Sequence, residues 1–157
     1  MKEFRQMRRF KASRPEECEK VLCEAKRGVL AVIGDGGYPY CVPVDFVYED
    51  GRIYIHGAAQ GHKADAIAAC DKVCFTATRD DFRKEGDWAW YATSVVAFGR
   101  AKWIEDRDEV LKKVRLLAQK YYPSQQEIDD EIERDGHRVQ LLEIEIQHMT
   151  AKQVHEK

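Results

Sequence analysis

Two tight-turn signals, Asp35-Gly36-Gly37 and Glu49-Asp50-Gly51, constrain this chain more than any other feature. Glycine and aspartate reach the positive-φ conformations that short hairpins require. Each signal lies between stretches that read as strands. Val29-Leu-Ala-Val-Ile33 is a continuous apolar run, a second strand is expected from about Tyr38 to Tyr48, and Arg52 to His56 returns. Strands joined by such turns are antiparallel neighbours, so a doubly wound parallel sheet is disfavoured. Pro43 interrupts the second strand and predicts an edge, a bulge or a break at that point.

The remaining elements follow from periodicity. Ser13-x-x-Glu16 reads as a capping box with Pro15 in the first turn, followed by Cys18, Val21, Leu22 and Ala25 at helical spacing up to Gly28. A short helix is expected at about 61–70, then a strand Lys72–Thr78 and a charged loop from Arg79 to Asp87. Trp88 to Ile104 gives one or two strands, with Gly99 marking a bulge or close packing. Asp106-x-x-Glu109 starts a helix of about four turns, which Pro123 stops. The segment Ser124 to Gly136 reads as partly helical and exposed. Leu142, Ile144 and Ile146 alternate with polar residues as a half-buried strand. The expected class is mainly β with packed helices, a small antiparallel barrel.

A chain of 157 residues is most simply one domain, 1–157, with an N-terminal arm at about 1–12. Its 26 basic and 28 acidic residues leave a net charge of −2 and no broad basic footprint, so nucleic acid is not an expected partner. The cluster Arg5, Arg8, Arg9 and Lys11 reads as a solvated arm. No apolar run approaches the roughly 20 residues that span a bilayer, and the N-terminus lacks an apolar signal core. The expectation is a cytoplasmic protein without membrane association. Cys18, Cys23, Cys41, Cys70 and Cys74 follow neither disulfide nor zinc spacing and read as buried reduced thiols.

The chemistry is most legible in Ile53-Tyr-Ile-His-Gly-Ala-Ala-Gln-Gly-His-Lys-Ala-Asp-Ala-Ile67. A strand ends at His56, a small-residue turn follows, and a helix starts with His62 and Lys63 in its first turn. Free N–H groups and the positive end of the helix dipole favour an anion there, and a lysine adds a point charge. Taken alone, such positions are more commonly a plain helix start carrying exposed polar residues. His56 shares a strand face with Tyr54, opposite Ile53 and Ile55, and such a strand-end histidine is more often structural than catalytic. Asp45, Asp65 and Cys70 meet no metal-site spacing with His56 and His62, so no metal is expected. Ser94 lacks a nucleophile elbow. Trp88, Trp90, Tyr91, Phe98 and Trp103 could stack on a planar ligand, though core packing is their default.

Six stretches in order carry a resemblance. They are Met7-Arg-Arg-Phe10, Arg27-Gly-Val-Leu-Ala-Val32, Pro39-Tyr-Cys-Val-Pro-Val-Asp-Phe46, Ile53-Tyr-Ile-His-Gly-Ala58, Gly61-His-Lys-Ala-Asp-Ala-Ile67 and Ser94-Val-Val-Ala-Phe-Gly-Arg-Ala101. Over roughly residues 5 to 150 the chain resembles the pyridoxamine-5′-phosphate-oxidase-related split barrels, specifically their 5-nitroimidazole-resistance branch. The resemblance implies a six-stranded antiparallel split β-barrel and a homodimer with FMN at the subunit interface. It implies an oxidoreductase with a small-molecule substrate, nitroaromatic compounds among the candidates; a flavin- or haem-binding carrier or sensor is the alternative. By position, His62 and Lys63 would contact the flavin phosphate. Val42, Pro43, Val44 and Asp45 would run along the ring system, and His56 and Ala58 would lie beside the ribityl chain or ring. Ser94 and Val95 would help close the site from the partner subunit, and His56 is the one candidate catalytic residue. Many flavin split barrels carry arginine or serine at the phosphate, where this chain has His62-Lys63.

Overall fold

The computed structural model describes Phe4 and residues 15–155, with the side chains of Asp80, Asp81, Val154 and His155 left aside. Ser13 of the expected capping box, the basic cluster at 5–11 and the stretch Met7–Phe10 lie outside the described residues.

Seven strands form one antiparallel sheet: β1 (Gly28–Ile33), β2 (Pro39–Val44), β3 (Val47–Glu49), β4 (Arg52–Gly57), β5 (Lys72–Arg83), β6 (Trp90–Trp103) and β7 (Gln140–His155). Their order is β2-β1-β5-β6-β7-β4-β3. The two edge strands, β2 and β3, are consecutive in the chain, with only Asp45 and Phe46 between them. Two residues span at most about 7 Å beyond a normal step, so the sheet must curl until its edges meet. The edges meet through the chain and not through a hydrogen-bonded ladder, which makes the barrel split. Counting β2 and β3 as one broken strand gives the six strands expected.

Pro43 meets the first of the three expectations, since it lies on β2, an edge strand of the sheet. It sits in register opposite Val29, and the chain breaks two residues later, at Asp45–Phe46. An edge strand tolerates proline because one side of its backbone has no ladder to complete. The expected charged loop after Thr78 is corrected. β5 continues to Arg83, with Phe82 opposite Tyr91 and Arg83 opposite Trp90 beyond a bulge after Arg79. The Phe82 and Tyr91 rings stack at 5.2 Å. Gly99 holds both roles expected of it. The β6–β7 register shifts at Phe98/Gly99, and a side chain at Gly99 would fall on the Glu145 carbonyl and Ile144.

The barrel interior is filled from alternating strand positions, among them Leu30, Ile53, Ile55, Phe75, Val95, Leu142 and Ile144, and by Phe46 from the break between β2 and β3. Helix α1 (Pro15–Glu24) adds Cys18, Val21 and Leu22 to this cluster, and α2 (His62–Ala69) adds Ala66 and Ile67. A second cluster lies outside the barrel wall. There α3 (Arg107–Tyr121) lays Val110 and Leu117 over Val47, Tyr54 and Leu141. β4 and the start of β7 are therefore buried on both faces, which is why Leu141 and Leu142 are both fully buried. Glu143 is buried too and pairs with Arg52 at 3.7 Å and Lys102 at 3.2 Å. Helix α3 starts on the expected capping residue, since Asp106 accepts from the Glu109 N–H at 2.8 Å. Helix α4 (Gln125–Asp135) follows, capped by Ser124, and buries Ile128.

Candidate functional site

The site is built at the junction of β4 and α2. Alternation along β4 turns Ile53 and Ile55 inward and leaves His56 exposed at the strand end. Gly57 closes the strand, Ala58 is exposed, and Gly61 adopts φ 93° before the first residue of α2. Gly61 has no side chain to cap the helix, so the first N–H groups of α2 have no side-chain acceptor.

Lys63 is the informative cation. It is half-buried, and its ammonium lies 3.0 Å from where a Gly57 Cβ would be. Burial pushes its pKa below the ordinary 10.5. Among the described residues no carboxylate comes within ion-pair distance of it, whereas Arg27, for example, is paired with Asp45 at 3.0 Å. A partly desolvated ammonium without a counter-ion costs free energy. An anion at the start of α2 would remove that cost.

His62 is placed differently. Its ring stacks on Tyr40 at 4.2 Å, and its Nε2 accepts from the Asp35 N–H at 3.3 Å. It ties α2 to the β1–β2 hairpin, leaving Nδ1 as its other ring nitrogen. Val42 is half-buried against the core, Pro43 is exposed and Val44 is buried. Asp45 stands at the split, and Asp45 and His56 line one cavity.

Ser94 and Val95 are not brought to this place within one chain. His56 pairs with Leu141 and Ser94 with Lys152, eleven residues apart on β7 (152 − 141). At about 3.3 Å per residue that is roughly 35 Å of strand. The Val95 side chain is fully buried in the core, while Ser94 is half-buried.

Two residues beside the site escaped the sequence reading. The strand break leaves the Phe46 N–H and C=O without a ladder. The N–H donates to the Tyr121 hydroxyl at 2.9 Å, and Lys120 Nζ donates to the carbonyl at 3.0 Å. The Tyr121 hydroxyl also lies 2.8 Å from the Lys26 carbonyl and 2.9 Å from that of Phe46, either of which can take its proton. Lys120 stands over the Phe46 ring at 3.8 Å, and burial lowers its pKa from 10.5 to about 8. The last turn of α3 thus clasps the split. Tyr121 was legible as part of an apolar helix face, but no local signal tied it to Phe46, 75 residues away. Trp88 and Trp90 are exposed, and Trp103 packs partly against the main core. Among the described residues no cluster of histidine, cysteine and acidic side chains could hold a metal, and no helix is long and apolar enough to cross a membrane. The five cysteines are free thiols, but their expected burial is corrected: only Cys18 is buried, Cys70 and Cys74 are half-buried, and Cys23 and Cys41 are exposed.

Fold and site together define a class, the small antiparallel split barrel with a cationic corner where a strand turns into a helix. Residues 14–153 match the model of the family described as pyridoxamine 5′-phosphate oxidase, and the chain belongs to that family. No curated protein matches it. Among solved structures it is similar to a candidate 5-nitroimidazole antibiotic resistance protein from Bacteroides thetaiotaomicron, with a TM-score of 0.74 and 20% identity over 89% of this chain and 84% of that one. It is also similar to a FAD-binding protein from Mesorhizobium loti, with a TM-score of 0.65 and 22% identity over 92% and 97% of the two chains. A third is a FAD and haem binding protein from Mycobacterium smegmatis, with a TM-score of 0.71 and 18% identity over 92% and 72%. At these identities the likeness is one of fold.

Proposed function

We propose that this chain is an FMN-dependent oxidoreductase acting as a homodimer in the cytoplasm, with nitroaromatic compounds as candidate substrates. The observation that carries the reading is Lys63, a half-buried ammonium without a carboxylate partner beside an uncapped helix start. A flavin phosphate supplies the missing dianion, and the α2 N–H groups complete its hydrogen bonds. His62 fixes the position of α2 through Tyr40 and Asp35. Val42, Pro43, Val44 and Asp45 form the edge along which the ring system lies, with His56 and Ala58 on its other side. When bound, flavin supplies hydride and one-electron chemistry, while the protein sets orientation and local charge.

The dimer is supported by the distance between Ser94 and His56 within one chain, because a second copy is needed to bring the Ser94–Val95 strand to the site. Exposed Phe82, Trp88 and Trp90 at the β5–β6 hairpin also suit an interface. The flavin-binding relatives support FMN or a larger flavin, and one relative that also binds haem keeps a carrier role as the second reading. Steady-state oxidation of NAD(P)H with a nitroaromatic acceptor separates the two. Turnover supports the oxidoreductase, and flavin-loaded protein inert toward every acceptor supports the carrier.

A further inference from the structure

We propose that the cavity between the end of β4 and helices α3 and α4 is the substrate pocket, and that it takes small flat molecules that are uncharged or cationic while rejecting anionic ones. The proposal rests on the flavin reading only in calling the ligand a substrate. The cavity has a volume of about 300 Å3, at the small end for small-molecule sites. That suits one or two rings and excludes a dinucleotide.

Its walls divide by chemistry. Aliphatic side chains of α3 and α4, such as Leu117 and Ile132, form one side, and Tyr121 offers a ring beside them. The polar side-chain groups are His56, Asp45, Glu131, Asp135 and the hydroxyls of Tyr121 and Tyr122; among the described residues no lysine or arginine lines the cavity. Each of the three carboxylates has a cation beside it. Arg27 pairs with Asp45 at 3.0 Å, and Arg134 pairs with Glu131 and, at 2.9 Å, with Asp135. Arg138 also pairs with Asp135, and these neighbours hold the Asp135 carboxyl below its ordinary range. A ligand in the cavity therefore meets carboxylate oxygens, and the guanidinium groups stand outside the lining. An anion there would lose water and face three carboxylates, with His56 and the tyrosine hydroxyls as side-chain donors and no lysine or arginine among the described lining residues. Asp45 and His56 also flank the expected flavin edge, so a molecule in the cavity would lie against it. The family is described by a phosphorylated substrate, and this lining argues that the present chain does not take a phosphate ester.

The test is titration calorimetry on the purified flavin-loaded protein with three probes of one size: 4-nitrobenzyl alcohol, 4-nitrobenzylamine and 4-nitrobenzoate. The alcohol and amine are expected to bind at least about tenfold more tightly than the benzoate, since one buried unpaired charge readily exceeds that factor. Ala118→Trp, which fills the cavity, should abolish binding of all three. Glu131→Lys, at a half-buried lining position of α4, should narrow the gap between alcohol and benzoate, and it serves if Ala118→Trp fails to fold. Benzoate binding as tight as the alcohol's, or binding unchanged in a folded Ala118→Trp protein, overturns the proposal. Flavin absorbance of the same samples reports separately. Selective binding by a colourless protein supports the pocket and sinks the flavin reading; yellow protein without selectivity sinks the pocket alone.

Discussion

Tyr121→Phe removes one oxygen from the clasp over the split and leaves the ring in place. Phe46 is fully buried, and its N–H has the Tyr121 hydroxyl as its acceptor at 2.9 Å. The Phe46 carbonyl keeps Lys120 at 3.0 Å, and the Lys26 carbonyl lies beside exposed residues where water can replace the phenol. The loss is therefore one orphaned buried donor, worth about 1–3 kcal/mol. For a domain of this size each kcal/mol moves Tm by about 2–4 °C. A destabilisation of about 2 kcal/mol thus predicts a fall of roughly 4–8 °C. Urea unfolding followed by circular dichroism should show a lower midpoint with an unchanged slope, because the same surface is exposed. A variant within about 0.5 kcal/mol of the parent would refute the clasp, because it would mean that the Phe46 N–H finds another acceptor at no cost.

Three further outcomes are expected. Asp106→Ala removes the α3 cap at Glu109 and should cost about 1 kcal/mol in the same unfolding assay. Lys120 has a folded pKa of about 8 against an ordinary 10.5, so the unfolded chain binds more protons between those values. Stability relative to Lys120→Met should rise as pH increases from about 8 to about 10.5 and be flat below about 7; a difference that falls across that window contradicts the burial of this ammonium. Lys63 must be protonated to hold a phosphate, and its pKa is lowered by burial, so flavin affinity measured by fluorescence quenching should weaken on the alkaline side and recover on return to neutral pH.

Local signals carried most of the fold. The turns at 35–37 and 49–51 place glycines at positive φ, with Asp50 at 47° beside Gly51, and these hairpins order β1 to β4. Gly99 announced a bulge, and Asp106 announced a helix start. The errors arose where partners are distant in sequence. Arg79 to Arg83 read as loop because charge masks a strand whose pairing depends on Tyr91 and Trp90. The break at Asp45–Phe46, two residues past Pro43, was not located, because it is stabilised by Lys120 and Tyr121 on α3. The strand from Leu142 read as half-buried, but α3 also covers its outer side at Leu141. At the site, strand, turn and helix start were legible between Ile53 and Ile67. The Tyr40 and Asp35 contacts of His62 were not, since they cross from another hairpin. Nor could sequence show that Asp45 and His56 share a cavity with α4.

The central claim is that the β4–α2 corner holds a flavin phosphate through Lys63. The most direct measurement is the absorption spectrum of the purified protein, with mass spectrometry of what denaturation releases, for the parent and for Lys63→Ala. The parent is expected to show flavin bands at one FMN per protomer. Lys63→Ala should retain its melting temperature within about 2 °C and bind FMN at least about tenfold more weakly, the loss of one charge-assisted contact. A colourless parent that folds normally and ignores added FMN would contradict the account, as would a Lys63→Ala protein that holds FMN as tightly as the parent.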